Sequence, residues 1–487
     1  MTSFDPAGLA FPAAHFIGGR MVGAPAALEL RRPSDGEAFA ACPVADADVV
    51  DRAVSAARAA LAASGWGGLR PRERTQALHR WADLIEAQAE PLARLEAVAS
   101  TRPISALLEG DLPVTVEQIR FFAEFADKEG GDLVPTADDS FGFVATEPYG
   151  VVGAITPWNF PLSMAAWKLA PALAAGNAVV LKPSEMTPFA TLRMAELSVQ
   201  AGIPAGVIAV VLGDGPETGA ALVAHPDVAK VSFTGSTAAG SAIMANLART
   251  GVKPMTLELG GKSPQVVFAD ADLDLAASSI AGSVLANAGQ ACVAGTRLVV
   301  QASVAGALVD GILERISGIR PGPTWDAATR YSPIVSQRQL GRVDAIVRRA
   351  VDAGATVLAG GAPLEGPGYF YAPTVLADVG RDSPAILEEI FGPVLTVQIF
   401  EDEDEAVVLA DHPSYGLAAG LYTRDLSRAL RLTRRLQAGT IWVNRYGRSR
   451  DHILPTGGFK GSGIGKDLGR EAFRASRRSK SVLVALR

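Results

Sequence analysis

The sequence predicts an α/β protein: two doubly wound α/β units, each a mainly parallel sheet covered by helices, plus a small β extension. Three observations predict it. From Gly150 onward, short continuous apolar runs alternate with amphipathic stretches, the pattern of a parallel sheet buried on both faces. After Cys292 a second set of the same kind begins. Two strand-like runs, 140–147 and 481–486, stand outside both rhythms. A chain of 487 residues is long enough for roughly two to four domains.

In order, residues 16–45 read as a β-hairpin arm, from Phe16-Ile17-Gly18-Gly19-Arg20 through a polar turn to Glu37-Ala38-Phe39-Ala40. Asp46 is placed to cap a helix whose apolar positions Val50, Val54, Ala57 and Leu61 recur at helical spacing. Pro71 opens a second helix with Leu78, Trp81 and Ile85 on one face, and Pro91 should stop or kink it. A third carries Ile119, Phe122 and Ala126. The run 140–147 alternates, with Phe141, Phe143 and Ala145 on one side, as in a strand. The first α/β unit then has strands near 151–156, 177–182, 207–212, 228–234 and 255–259. The second has strands near 297–301, 356–358, 394–399, 417–422 and 440–443, with helices near 336–353, 402–411 and 425–437. The last strand, 481–486, pairs either with 140–147 or with another subunit.

Composition removes several function classes. Net charge is −6, with 51 acidic against 45 basic residues, which argues against a nucleic-acid surface. The one basic cluster, 470–480, alternates with apolar residues and reads as a solvated face. Two cysteines, Cys42 and Cys292, are too few for a disulfide framework and fit a reducing compartment. The first nineteen residues lack Lys and Arg, so neither a secretory n-region nor a transit peptide is expected. The uncharged run 275–296 is long enough to span a bilayer. It carries Ser278, Ser279, Ser283, Asn287 and Gln290, however, and reads as a buried helix entering a loop. The expectation is a cytoplasmic protein without membrane or nucleic-acid partners. His15, His79, His225, His412 and His452 show no metal-ligand spacing.

The chemistry concentrates between residues 254 and 297. Glu258 sits where a short apolar strand enters Gly260-Gly261, and Cys292 sits among small residues between Gly289 and Gly295. Missing bulk lets substrate and backbone approach the sulfur, and a nucleophile with a separate base is the minimum set for covalent catalysis. Taken singly, such a cysteine is usually a small buried hydrophobe and such a glutamate a solvated edge charge, so neither carries the reading alone. Nucleotide fingerprints fail by spacing. Gly213 to Gly219 has one residue too many for G-x-G-x-x-G, and Thr256 stands where a P-loop needs its leading Gly. Topology alone places a ligand at the strand C-terminal ends, at a switch point.

Seven segments stand out: Thr156-Pro157-Trp158-Asn159-Phe160-Pro161, Leu181-Lys182-Pro183-Ser184-Glu185, Phe233-Thr234-Gly235-Ser236-Thr237, Leu257-Glu258-Leu259-Gly260-Gly261-Lys262, Gly289-Gln290-Ala291-Cys292, Glu389-Ile390-Phe391-Gly392-Pro393 and Pro455-Thr456-Gly457-Gly458-Phe459-Lys460 with Ser462-Gly463. In this order, and over roughly residues 16–487, they resemble the motifs of the aldehyde dehydrogenase superfamily. The resemblance implies a Rossmann-like NAD-binding domain over 1–128 and 149–259. It also implies a catalytic domain over 260–460 and an oligomerisation segment over 129–148 and 461–487. Cys292, Glu258 and Asn159 would be catalytic. The Asn159 amide and the Cys292 N–H would hold an oxyanion; otherwise Asn159 is a turn residue between prolines. Lys182 and Glu185, with Ser184, would hold the adenine ribose, favouring NAD over the alternative NADP; otherwise they are a solvated pair. Gly235 and Ser236 would receive the pyrophosphate at a helix start; otherwise Ser236 is an ordinary N-cap. Trp158 would line the same region, and Glu389 and Phe391 would hold the nicotinamide end. Thr156, Gly215, Phe233 and Leu259 complete the implied cofactor set.

The implied reaction is thiolate attack on an aldehyde, loss of hydride to NAD, and hydrolysis of the thioester by water activated by Glu258. The implied substrate tunnel comprises Val114, Phe160, Met164, Trp167, Ala291, Val293, Arg448, Arg450 and Thr456. The loop 444–454 departs from relatives acting on apolar aldehydes, with Arg445, Arg448, Arg450 and Asp451 in it. It suggests a polar substrate, a carboxylate-bearing one included, unless those arginines face solvent or another subunit. Asp467 stands where many relatives carry Glu, a residue linked there to proton release with a lysine matching Lys168. Three rivals stand beside this reading. A coenzyme A-acylating relative would usually lack the Glu258 base. An NAD-independent cysteine hydrolase or acyltransferase would want a histidine near the thiol. A non-enzymatic member would have lost Cys292 or Glu258. Relatives form homodimers and homotetramers through strands matching 140–147 and 481–486.

Overall fold

The computed structural model describes residues 3–447 and 452–486. Two large sheets organise it. In the first, five parallel strands lie in the order Ile208–Val210, Ala178–Lys182, Val151–Ile155, Lys230–Thr234, Met255–Glu258. The chain builds outward from Val151–Ile155 on one side and then restarts at Lys230–Thr234 on the other. The order therefore reverses between those two neighbours, and a crevice opens at their C-terminal ends. The strands Val151–Ile155, Ala178–Lys182 and Lys230–Thr234 are buried at every position, which is why they read as unbroken apolar runs.

Antiparallel strands close both edges. Ala14–Ile17 pairs with Arg20–Gly23 and sets Phe16 opposite Val210. At the far edge Gly463–Ile464 pairs with Met255–Glu258, with Gly463 opposite Glu258. Part of the segment assigned from sequence to the C-terminal extension thus belongs to this sheet. The arm over 16–45 is two hairpins, not one. Gly18 and Gly19 at φ +62° and +80° close the first within two residues, and Leu28–Arg31 with Ala38–Cys42 forms the second.

The second sheet runs Thr356–Ala359, Thr374–Ala377, Val394–Phe400, Arg297–Gln301, Pro264–Val267, Ala418–Tyr422, Thr440–Val443. Two of these were not expected. Pro264–Val267 is central, yet only four residues long and headed by proline, which a strand tolerates at its first position. Thr374–Ala377 is equally short. The other strands and the three helices fall where the sequence places them.

Among the N-terminal helices, Asp46 accepts from the Val49 N–H at 2.9 Å and caps Ala47–Ser64. Pro91 kinks nothing: Pro71–Ala87 ends before it, and it lies in the first turn of Ala89–Ala99, where a missing N–H costs little. Leu273–Leu285 is the expected helix running into a loop. No helix among the described residues is long and apolar enough to cross a membrane. The C-terminal strand Arg477–Ala485 pairs antiparallel with Ser140–Pro148 of the same chain, and Asp132–Val134 lies on the other side. Its basic residues are solvated, with Arg478 and Lys480 both reaching Glu147.

Candidate active site

The thiol rides on a tight turn. Asn287, Ala288 and Gly289 all adopt positive φ (50°, 49°, 68°). A Cβ on Gly289 would lie 2.2 Å from the Gly392 carbonyl oxygen, and one on Gly295 would lie 2.5 Å from Gln265 Nε2. The glycines flanking Cys292 therefore serve close backbone packing as well as access. Cys292 itself is partly exposed, whereas Cys42 is buried.

Two amides that sequence reasoning left without a role build this turn. Gln290 is fully buried. Its Nε2 donates to the Asn287 and Pro333 carbonyls at 2.9 Å, and its Oε1 accepts from the Val335 N–H at 3.0 Å. Asn287 donates to the Asn159 carbonyl at 3.1 Å and accepts from Thr101 at 2.6 Å. Asn159 closes the ring, its Nδ2 donating to the Gln290 carbonyl at 2.9 Å. An amide nitrogen carries two hydrogens, so the second remains to be donated beside the thiol. The end of the first sheet and the cysteine turn are thus bonded directly.

Glu258 ends its strand 4% exposed. Its Oε1 lies 2.8 Å from where a Cβ of Gly457 would be, so the carboxyl meets the Pro455–Lys460 loop only because that residue is glycine. The next two glycines carry the link to the thiol. A Cβ on Gly261 would lie 2.7 Å from the Cys292 carbonyl oxygen, and one on Gly260 would lie 2.2 Å from Glu389 Oε2. Glu389 Oε1 also accepts from the Gly261 N–H at 3.0 Å. The residue keeps some surface, but its carboxyl packs on this backbone. Burial pushes it up to about 7, against the pull of the Gly261 bond, Arg342 and Lys262. Lys262 is wholly buried; burial, then Arg297, brings its ammonium down to about 7.

The cofactor candidates converge on the crevice between the two central strands. Thr156 and Thr234 follow or end those strands, and each has a buried hydroxyl without a partner. Ser236 caps Thr237–Thr250 through the Ala239 N–H at 3.2 Å, leaving other first-turn N–H groups for an anion. The Phe233 ring packs on Gly235, and Leu259 on Gly240. Gly215 has open space at its Cα. Lys182 is buried and donates to Gly213 and Pro183 carbonyls at 2.7 and 2.9 Å, with Glu185 at 3.7 Å and Ser184 beside it. Burial lowers its ammonium. Trp158 and Phe391 meet edge to face at 5.4 Å. Unused hydroxyls, a helix start and a Lys–Glu pair in one crevice fit a dinucleotide.

On the other side of the thiol, Phe160 lies over the Arg102 guanidinium at 4.8 Å, whose charge is spent on Asp111 through bonds of 2.6 and 2.9 Å. Met164 and Trp167 are buried on Pro161–Ala174, Thr456 is buried, and Val114, Ala291 and Val293 are partly exposed. Tyr446 donates to the Val293 carbonyl at 2.7 Å, fixing the 444–447 loop over the residue after the thiol. Arg448 and Arg450 lie outside the described residues. Asp467 and Lys168 form a buried ion pair.

The family model for the aldehyde dehydrogenase family matches residues 22–482. The chain belongs to the aldehyde dehydrogenase family. Its fold matches an indole-3-acetaldehyde dehydrogenase of P. syringae, solved with NAD+ and IAA, at TM-score 0.96 and 40% identity over 99% of this chain and 98% of that one. A gamma-glutamyl-gamma-aminobutyraldehyde dehydrogenase from Burkholderia cenocepacia J2315 gives 0.96 and 41% over 99% and 98%. The NAD+ complex of a Bacillus cereus aldehyde dehydrogenase gives 0.95 and 39% over 98% and 97%. This aldehyde dehydrogenase is accordingly an oxidoreductase, and its activity is NAD-dependent aldehyde oxidation.

Proposed function

We propose that this enzyme oxidises its aldehyde to the free acid through a covalent intermediate on Cys292, with Glu258 as the base that releases it. The observation that carries the reading is the double-glycine turn. Gly260 and Gly261, separated from Glu258 only by Leu259, lie against the Glu389 carboxyl and the Cys292 carbonyl respectively. The Cys292 thiolate attacks the carbonyl carbon, and the oxyanion rests on the free Asn159 N–H and the Cys292 backbone N–H. NAD held by the crevice residues would supply the hydride acceptor. What remains on Cys292 is a thioester. Glu258 takes a proton from water as that water adds to the thioester, and the acid departs with the thiolate restored.

Thr156, Trp158, Ser184, Glu185, Gly215, Phe233, Gly235, Ser236, Leu259, Glu389 and Phe391 are assigned to the cofactor. Lys182 contributes by holding the Gly213 carbonyl and standing beside Glu185. The Glu185 carboxylate repels a 2′-phosphate, which favours NAD over NADP. Glu258 favours hydrolysis over transfer to coenzyme A, since a base that activates water is superfluous when a thiol is the acceptor. The test is NADH formation from benzaldehyde with and without coenzyme A. Hydrolytic action predicts benzoate and a rate indifferent to coenzyme A. Benzoyl-coenzyme A as the product would overturn it. The exposed Leu483 on the outer strand Arg477–Ala485 and Leu133 on the opposite edge strand Asp132–Val134 support a homodimer or homotetramer formed through that sheet.

A further inference from the structure

A cavity of about 130 Å³ is walled by Trp442, Arg445, His452, Leu454, Thr456 and Leu468. Two contacts fix its position. Thr456 precedes Gly457, against which the Glu258 carboxyl packs. Tyr446, the residue after Arg445, bonds to the carbonyl of Val293, the residue after Cys292, and its ring meets Trp442 at 4.8 Å. The cavity walls are thus one residue removed from groups that touch the Glu258 carboxyl and the residue after the thiol.

The walls are mostly apolar, with Thr440, Thr456, His452 and Arg445 as their polar members. Trp442 and Leu468 are buried, and Leu454 is exposed toward the mouth. An apolar cavity of about 150 Å³ accommodates benzene, so this one suits a group the size of one ring. Arg445 is exposed, and among the described residues its guanidinium donates only to the Gly447 carbonyl, at a weak 3.4 Å. No carboxylate among the described residues lies within ion-pair distance of it. Three other cations among the described residues are engaged: Arg102 with Asp111, Lys168 with Asp467, and Lys466 with the Gly457 carbonyl. A planar five-donor group without a counter-charge at an apolar cavity is suited to a carboxylate.

We infer that Arg445 is a specificity-determining residue, and that the preferred substrates are aldehydes with a ring-sized apolar body ending in a carboxylate. This rests on the aldehyde oxidation proposed above and specifies its substrate class. The experiment compares 4-carboxybenzaldehyde with 4-methylbenzaldehyde, which share a shape and differ in charge, on the full-length enzyme with NAD. The wild type is expected to show the higher kcat/KM on the carboxylate. Arg445→Gln should lower the ratio of the two about tenfold, the size of one charge-assisted bond, through the KM of the charged aldehyde. Arg445→Lys should retain part of the preference, and added salt should erode it in the wild type. A wild-type preference for the methyl compound, or an equal ratio in wild type and Arg445→Gln, overturns the inference while aldehyde oxidation stands. NADH from no aldehyde at all would remove the underlying reading and this inference with it.

Discussion

Replacing Gly261 with alanine perturbs the site by a length that can be worked out. The glycine does not occupy the left-handed region, so alanine meets no backbone penalty there, and the effect is steric alone. The new methyl would stand 2.7 Å from the Cys292 carbonyl oxygen and 3.0 Å from the Leu417 Cβ, where ordinary contact begins at 3.4 Å. The overlap with the oxygen is 3.4 − 2.7, or about 0.7 Å. A backbone carbonyl cannot rotate aside as a side-chain end can, so the cysteine turn must move. A displacement of about 1 Å at a reacting group costs on the order of a hundredfold in rate. Gly261→Ala should therefore lower kcat roughly ten- to a hundredfold, with overpacking costing about 1–3 kcal/mol in stability. NADH absorbance reads the rate. Alkylation reads the thiol, because burial pushes the Cys42 thiol up to about 12 and leaves Cys292 as the reactive one. Gly260→Ala is the control. Its methyl would meet the movable end of Glu389 at 2.2 Å, so its effect should fall on the KM for NAD. A Gly261→Ala enzyme within twofold of wild type would refute the idea that this turn positions the cysteine.

Three further expectations follow from the same geometry. Cys292→Ala should lose dehydrogenase activity altogether while keeping its melting temperature, and measurable NADH formation from it would remove the nucleophile assignment. Asp467→Asn leaves Lys168, and Lys230 in the same cavity, without their carboxylate. Stranding buried charge costs about 3–5 kcal/mol, so the midpoint of thermal inactivation should drop by several degrees, and an unchanged midpoint would count against the pair. Glu389, with its folded value raised to about 7, holds more protons folded than unfolded between its ordinary range and neutrality. The wild type should lose roughly 2 kcal/mol relative to Glu389→Gln as pH rises from about 4.5 to about 7. Parallel stability curves for the two proteins would exclude this.

What the sequence made legible followed from local rules. Buried parallel strands are apolar on both faces, so Val151–Ile155 and Lys230–Thr234 stood out. Pro264–Val267 and Thr374–Ala377 did not, because four residues carry no period and a heading proline resembles a turn. The apparent failure of the glycine fingerprint has a structural reason. Residues Gly215–Gly219 form a wide π-type turn, with the Gly219 N–H reaching back to the Asp214 carbonyl at 3.0 Å, and such a turn holds more residues than the fingerprint's tight turn. In the site, Cys292 and Glu258 were visible because glycines lie close to them in sequence, at Gly289 and Gly295 and at Gly260 and Gly261. Their support was not. The Asn159–Gln290 bond joins residues 131 apart, and the Thr101–Asn287 bond joins residues 186 apart. The stack of Phe160 on Arg102 and the bond from Tyr446 to Val293 likewise depend on the packing of separate segments.

The most direct test of the thioester account is intact-mass and peptide analysis of Glu258→Gln after mixing with NAD and benzaldehyde. The account predicts one NADH per subunit in a burst, then a stall, with the benzoyl group on the peptide containing Cys292. Steady turnover at the wild-type rate, or a burst that leaves Cys292 unmodified, would contradict it.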